Sequence, residues 1–368
     1  MKRTALCLLL TALPLSADSF SIALYKRAAK DGGNVVLSPY SVSSALQMLR
    51  DGARGATAKE ITDTLGNTPK AKAITKSGTG FELVSANALW AMQGRPLRAE
   101  YVAQVKKNYG AAIEPLNFAS GSAAAARING WVSAQTRGKI PTIIGPDALN
   151  ANTRLVLTNA VYMKAKWERQ FPKGATHDQA FHLAPGRDVQ VKTMALTRAP
   201  FRLGRFSGGR VLELPYQGGE LSMLVFLPDA VDGLAALESK LDAALAAKLL
   251  PAKVDVYLPK FHTTKNLNLN DQLPAIGIRR AFRSDGSADF SGISTAEKLF
   301  VSRALHNARI DVDEEGTEAA AATVMAVERT SADLNKPEVF RVDRPFLYLI
   351  RGKGGEIFFI GRILDPTR

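Results

Sequence analysis

Helical periodicity fills the first part of this chain and strands fill the rest, and that order restricts the fold more than any other feature. Residues 18–29 carry apolar side chains at helical spacing. Ser38-Pro39 then opens a second helix running toward Ala53, with a capping serine before a proline at the first helical position. Residues 99–108 and 123–136 read as further helices. From Leu155 onward, strand-like runs take over at 155–163, 211–216, 221–227, 254–261, 300–312, 346–350 and 356–360. Gly218-Gly219 supplies a hairpin turn between two of them. Strands and helices do not alternate, so a doubly wound parallel sheet is not expected and the class is α+β. No internal repeat or Pro/Gly-rich linker divides the 368 residues.

One segment resists this pattern. Residues 313–337 lie between two strands and have little structural signal of their own. A loop this long within one domain is uncommon and usually functional. Its first half, Gly316-Thr-Glu-Ala-Ala-Ala-Ala-Thr323, is small and nearly featureless. Composition alone leaves a short Ala-rich helix, a flexible linker and a functional loop all open.

The N-terminus reads as a targeting segment. Lys2 and Arg3 precede an apolar run at 4–15 that is too short to span a bilayer, and Leu15-Ser16-Ala17 offers a small-residue cleavage site. A first helix of the fold is the competing reading. With residues 1–17 removed, the net charge of +14 falls to +12 and the only cysteine, Cys7, is lost. The remainder, 18–368, then has no thiol for catalysis, metal binding or a disulfide. No later apolar run is long enough to cross a membrane. The strong positive charge permits a polyanion-binding surface. Lys and Arg are scattered, however, with one local cluster at Arg279, Arg280 and Arg283.

Enzyme signatures are missing. There are four histidines (His177, His182, His262 and His306), and no zinc-binding HExxH, phosphate-binding loop or nucleophile elbow. His177 and His182 lie near Asp178 without a third ligand. No metal site, cofactor or catalytic residue is expected.

The segment Asp313-Glu-Glu-Gly-Thr-Glu-Ala-Ala-Ala-Ala-Thr323 resembles the hinge of inhibitory serpins almost letter for letter. Other blocks follow in the same family order. NVVLSPYSVSSALQMLRDGARG at 34–55 is similar to the second-helix block, and LVLTNAVYMKAKWERQF at 155–171 to the third strand of the large sheet. Leu258-Pro-Lys-Phe261, residues 267–291 and the C-terminal block 340–366 also match. The resemblance covers nearly all of residues 18–368. It implies a serpin fold of three β-sheets and about nine helices with an exposed reactive loop. It also implies a suicide inhibitor of serine proteases, acting as a monomer through a covalent acyl complex, and secreted or periplasmic.

The resemblance assigns sites one residue at a time. The hinge comprises Glu314, Glu315, Gly316, Thr317, Glu318, Ala319, Ala320, Ala321, Ala322 and Thr323. Ser38, Ser41, Asn159 and His306 match the shutter, a buried polar network under the large sheet. Trp167 matches the breach, where the loop first inserts, and Lys260 with Glu314 matches an ion pair closing the top of the sheet. As an exposed pair, that last contact would contribute little. Family spacing puts the reactive bond at Thr330-Ser331, with Arg329-Thr330 as the alternative register. The first suits an elastase-like protease, the second a trypsin-like one. The physics agrees with the hinge assignment: if Glu318 faces solvent as a strand, Thr317, Ala319, Ala321 and Thr323 face the core, and all are small.

Between Leu65 and Leu83 the chain is too short for the family's usual fourth helix, so heparin activation through that helix does not carry over. Met163 replaces a usual aromatic. Competing functions are a non-inhibitory serpin-fold carrier, which small hinge residues disfavour, a polyanion binder supported by charge alone, and a hydrolase without a recognisable constellation.

Overall fold

The computed structural model describes residues 19–69, 75–317 and 336–368. Eight α-helices occur among them: α1 (Ser19–Ala29), α2 (Pro39–Gly52), α3 (Gly55–Leu65), α4 (Ala99–Tyr109), α5 (Gly121–Gln135), α6 (Leu234–Ser239), α7 (Leu241–Leu245) and α8 (Leu269–Gln272). The strands of the N-terminal half are β1 (Val35–Leu37), β2 (Thr75–Gly78), β3 (Phe81–Met92), β4 (Ala112–Leu116) and β5 (Leu155–Lys166). Those that follow are β6 (His177–Ala184), β7 (Arg187–Phe206), β8 (Gly209–Pro215), β9 (Leu221–Pro228), β10 (Leu250–Pro259), β11 (Phe261–Asn268) and β12 (Val301–Val312). Four short strands complete the set: β13 (Gly316–Thr317), β14 (Glu338–Arg341), β15 (Phe346–Gly352) and β16 (Ile357–Ile363).

Local chemistry explains the element that anchors the centre. Ser38 is extended, its hydroxyl accepts the Ser41 amide, and Pro39 begins α2. The helix is almost wholly buried, from Val42 to Leu49. It therefore forms the spine against which both sheets pack.

A seven-stranded sheet runs in the order β11-β12-β13-β5-β3-β2, with β4 also on the outer side of β3. A nine-stranded sheet runs β1-β16-β15-β9-β8-β7-β10-β14, with β6 beside β7. This corrects the expected sheet count in detail while keeping the α+β class. β7 is 20 residues long and pairs with β6 and β10 in one stretch and β8 in another, so two of the three expected sheets are joined by hydrogen bonds. The expected strand 254–261 is also two strands. The first ends at Pro259, and after Lys260 the chain begins β11 at Phe261 in the other sheet. Between Leu65 and Leu83 the described residues include no helix, and β2 pairs antiparallel with β3, Thr75 opposite Val84 and Gly78 opposite Phe81.

Three hydrophobic clusters hold these layers together. The largest lies around α1 and α2 and includes Leu24, Leu46, Leu157 and Leu349. A second fills the space between the sheets with Met163, Trp167, Phe261 and Tyr348. The third seats α5 on the outer face of the seven-stranded sheet, through Ile128 and Val132 against Trp90, Val156 and Leu305. Trp90 meets Trp131 edge-on at 5.6 Å. Its indole N–H donates to Thr158 at 2.9 Å.

Asn129 of α5 ties the chain that follows the helix back onto it. Its side-chain oxygen accepts the Ile143 and Ile144 amides at 2.9 and 3.1 Å, and its amide donates to the Ile144 carbonyl at 2.8 Å. Replacing it leaves two backbone donors without that acceptor, at a cost of about 1–3 kcal/mol. Asn129→Ala should lower the urea midpoint and speed hydrogen exchange at Ile143 and Ile144. Unchanged exchange at both amides would show that Asn129 does not secure this segment.

Candidate functional site

Two parallel strands define the site by separating. β5 and β12 pair directly from Leu155 and Val301 up to Tyr162 and Arg309. Above that point β13 lies between them, with Gly316 opposite Lys166 and Thr317 opposite both Ala165 and Val312. Only glycine suits position 316, because a Cβ there would run into the carbonyl oxygen of Ala165 and sit 2.7 Å from the Lys166 Cα. Thr317 is fully buried, as its side of the alternation requires, and its hydroxyl lies 2.6 Å from the Tyr216 hydroxyl. Tyr216 stacks on Trp167 with ring centroids 4.5 Å apart.

The turn from β12 into β13 is held on all sides. Asp313 accepts the Glu315 and Gly316 amides at 2.9 and 3.2 Å. Burial pushes its carboxyl above the ordinary range, against those two hydrogen bonds. Trp167 donates its backbone amide to the Glu315 carbonyl and its indole N–H to the Asp313 carbonyl, each at 2.9 Å. Glu314 accepts from Lys260 at 2.7 Å and from Thr176 at 2.8 Å. Burial works to raise the Glu314 carboxyl, yet Lys260 and the hydrogen bonds hold it below its usual range. Because Glu314 is buried, this pair is not the exposed surface contact that the sequence left open. A second pair joins buried Glu315 to Lys173 at 2.7 Å.

Lower in the same seam, where β5 and β12 touch, lies the polar network. His306 and Asn159 are register partners and both are fully buried. The Ser38 amide donates to His306 Nε2 at 3.0 Å, which leaves the proton of a neutral ring on Nδ1. Nδ1 then donates to Asn159 Oδ1 at 2.5 Å. The Asn159 amide group donates to the Ser41 carbonyl at 3.1 Å, to the Ser41 hydroxyl at 2.5 Å and to Asn87 Oδ1 at 2.5 Å. Ser85 reaches the Ser41 hydroxyl from β3. Three strands are thus tied to the start of α2 through a network whose central members, Ser41, Asn159 and His306, are fully buried.

The structure therefore brings Ser38, Ser41, Asn159 and His306 together, and groups Trp167, Lys260 and Glu314 around Glu315, Gly316 and Thr317. The remaining hinge residues Glu318, Ala319, Ala320, Ala321, Ala322 and Thr323 lie outside the described residues, as do Arg329, Thr330, Ser331 and the N-terminal segment 1–17. Sequence reasoning missed Tyr216, Lys173, Thr176, Ser85 and Asn87. Asn87 and Ser85 sit on a strand the sequence reading did not identify. Tyr216 precedes a glycine turn and carries no local mark of its partner 101 residues away. The basic cluster at Arg279, Arg280 and Arg283 is partly neutralised, because Arg280 pairs with Glu60 and Arg283 with Asp285. His182 pairs with Asp188, and no group of metal-binding side chains occurs among the described residues.

Fold and site define a protein of the serpin class. The family model for serpin (serine protease inhibitor) matches residues 15–366, and the chain belongs to that family. The family is one of protease inhibitors and not of catalysts, though ovalbumin and thyroxine-binding globulin are also among the solved structures that match. The chain is 37% identical over 370 residues to Iris of Ixodes ricinus, covering 94% of this chain and 97% of that one. It is 36% identical over 357 residues to the leukocyte elastase inhibitor of Equus caballus, covering 91% and 93%. Among solved structures, Serpin48 of the insect Tenebrio molitor matches with a TM-score of 0.86 and 34% identity, covering 94% of this chain and 96% of that one.

His306 makes the network sensitive to acid. Burial pushes its imidazole down to about 3, despite the bond to Asn159. An unfolded histidine binds a proton near pH 6.5. Between these values the unfolded chain is protonated and the folded one is not, so stability is lost as pH falls through this window. The urea midpoint of the wild type should drop more between pH 7 and pH 4.5 than that of His306→Gln. Parallel pH profiles for the two proteins would show that His306 does not carry the effect.

Proposed function

We propose that the chain inhibits a serine protease as a suicide substrate, trapping it by inserting its own cleaved loop between β5 and β12. The observation that carries this reading is β13, a strand already begun in the right place. Continued one residue at a time in the same register, it would set Thr323 opposite Asn159 on one side and His306 on the other. Thr317, Ala319, Ala321 and Thr323 would share the buried face. The small side chains fit a closing sheet without overpacking. A threonine hydroxyl would arrive where the direct Asn159–His306 bond has to part. Serpin loop insertion is an established form of strand addition that releases stored strain.

The chemistry belongs to the protease. Its serine oxygen bonds to the carbonyl carbon of the bait residue, the peptide C–N bond breaks, and the amine leaves with a proton. The 14 residues from Thr317 to Thr330 span about 46 Å as a strand, enough to carry the acyl-enzyme far along the sheet. Eight β5–β12 residue pairs would have to separate on the way. The basic N-terminal segment 1–17 supports export, to the periplasm or the medium. The reactive bond is assigned to Thr330-Ser331 by family spacing, with Arg329-Thr330 the alternative.

Incubation with elastase-like and trypsin-like proteases should give a complex stable on denaturing gels, and a released fragment beginning at Ser331. A fragment beginning at Thr330, together with trypsin trapping that Arg329→Ala abolishes, would move the bond to Arg329-Thr330. Absence of any covalent complex across the panel would refute inhibition.

Thr317→Arg should convert inhibitor into substrate. It places an unpaired cation in a position already fully buried beside Tyr216 in the intact protein, so a penalty of several kcal/mol drives β13 out of the seam and has to be met again before the cleaved loop can insert. The loop should still be cut, with little covalent complex. Nicked wild type should melt well above the intact protein, and the nicked variant should gain less. Undiminished complex formation by the variant would contradict the mechanism.

A further inference from the structure

From the side chains around β14, we propose that the rim beside the C-terminal end of the reactive loop is a docking surface for an acidic face of the target protease. This rests on the inhibitory reading above. β7 and β8 set Arg205 directly opposite Arg210. Like charges facing each other across a pair of strands destabilise a sheet. Glu338 lies 3.5 Å from Arg205. Arg210 instead donates to the Val339 carbonyl at 2.8 Å and lies over the Phe340 ring. It thereby anchors the strand into which the loop runs.

Two lysines extend the charge. Lys248 touches this corner through its backbone, since a Cβ on Gly204 would lie 2.8 Å from its carbonyl oxygen. Lys336 precedes Glu338 by two residues. Both are exposed, and neither has an acidic partner among the described residues. Val339, in the middle of this group, is one of the exposed large hydrophobic residues at 43%. The result is a corner carrying Arg205, Arg210, Lys248 and Lys336 around an apolar spot, with Glu338 the carboxylate that pairs with Arg205.

Position decides the occupant. Lys336 stands six residues after Thr330, which is at most about 20 Å of extended chain. A serine-protease domain of about 230 residues has a radius of gyration near 17 Å. Seated on the bait bond, it overhangs this rim. Arg205, Lys248 and Lys336 then face the protease body and not the bulk solvent. Opposite charge there speeds encounter and selects among proteases that share one specificity pocket. Salt screens that gain.

The test uses the full chain in a Thr330→Arg background, where trypsin can cut in either register. It compares this parent with the triple variant Arg205→Gln, Lys248→Gln, Lys336→Gln, keeping Arg210 as the strand anchor. The probes are anionic and cationic trypsin. With anionic trypsin at low salt, the association rate of the triple variant should fall about tenfold and its salt dependence should flatten. With cationic trypsin the rate should not fall. Melting temperature and stoichiometry of inhibition should stay the same. Equal rates with anionic trypsin, while both proteins form covalent complexes, would overturn the docking surface and leave inhibition standing. Weaker heparin binding without a rate change would overturn it too, assigning the rim to polyanions. A parent that traps neither trypsin would defeat the inhibitory reading and the docking surface together.

Discussion

Everything in this molecule is arranged around the seam between β5 and β12. Parallel neighbours at one end and separated at the other, they hold a two-residue strand where they diverge. A sheet interior normally tolerates no such gap, because an unpaired strand edge leaves amides and carbonyls without partners. Gly316 and Thr317 occupy the opening, and the lack of a side chain at Gly316 lets the backbones approach. Below, the seam is closed by His306 and Asn159, whose buried bonds reach Ser38 and Ser41 at the start of α2. The same spine helix thus supports the sheet and holds its seam.

The two ends of the seam are secured by different physics. At the lower network the groups are neutral and fully buried, so each bond is strong and each loss is expensive. At the upper turn the groups are charged and only their carboxylates are buried. Glu314 and Glu315 sit inside, while Lys260 and Lys173 reach them from the surface. That leaves the lysine ammonium groups partly hydrated and limits the desolvation penalty that a wholly buried pair would carry. Over the lower part of the seam, α5 packs on the sheet face, and Asn129 secures the chain that follows it. In the proposed insertion, an incoming strand would have to displace bonds on both its edges and disturb a packed face as well. Such a fold can remain in its starting state even when a more stable one exists.

Legibility in the sequence followed how local each signal is. The capping serine before α2, the apolar runs of β5, β12 and β16, and the glycine turn before β9 depend on neighbours a few residues away, and the structure places all of them close to where the sequence does. β3 and β7 were not read. β7 alternates charged and apolar side chains over 20 residues while serving two neighbourhoods, so no single window shows its role. β3 begins beside a segment too short for a helix, and its polar members Ser85 and Asn87 look like loop residues until α2 is placed against them. The division at Lys260 is invisible for a related reason: β10 and β11 are nearly continuous in sequence and part only because each finds a different sheet.

By itself the sequence determined the class of fold and the run of small side chains that starts at Thr317. These follow from periodicity and side-chain volume, which are properties of short stretches of chain. The tertiary structure alone decided that Thr317 is already seated beside Tyr216, that Glu314 is buried against Lys260, and that Arg205 and Arg210 face each other at the rim of β14. Each of these joins residues whose separation along the chain says nothing about their distance in space. Sheet register sets which of them meet, and register is fixed by packing of whole faces, since a slip of one residue would turn every buried side chain outward.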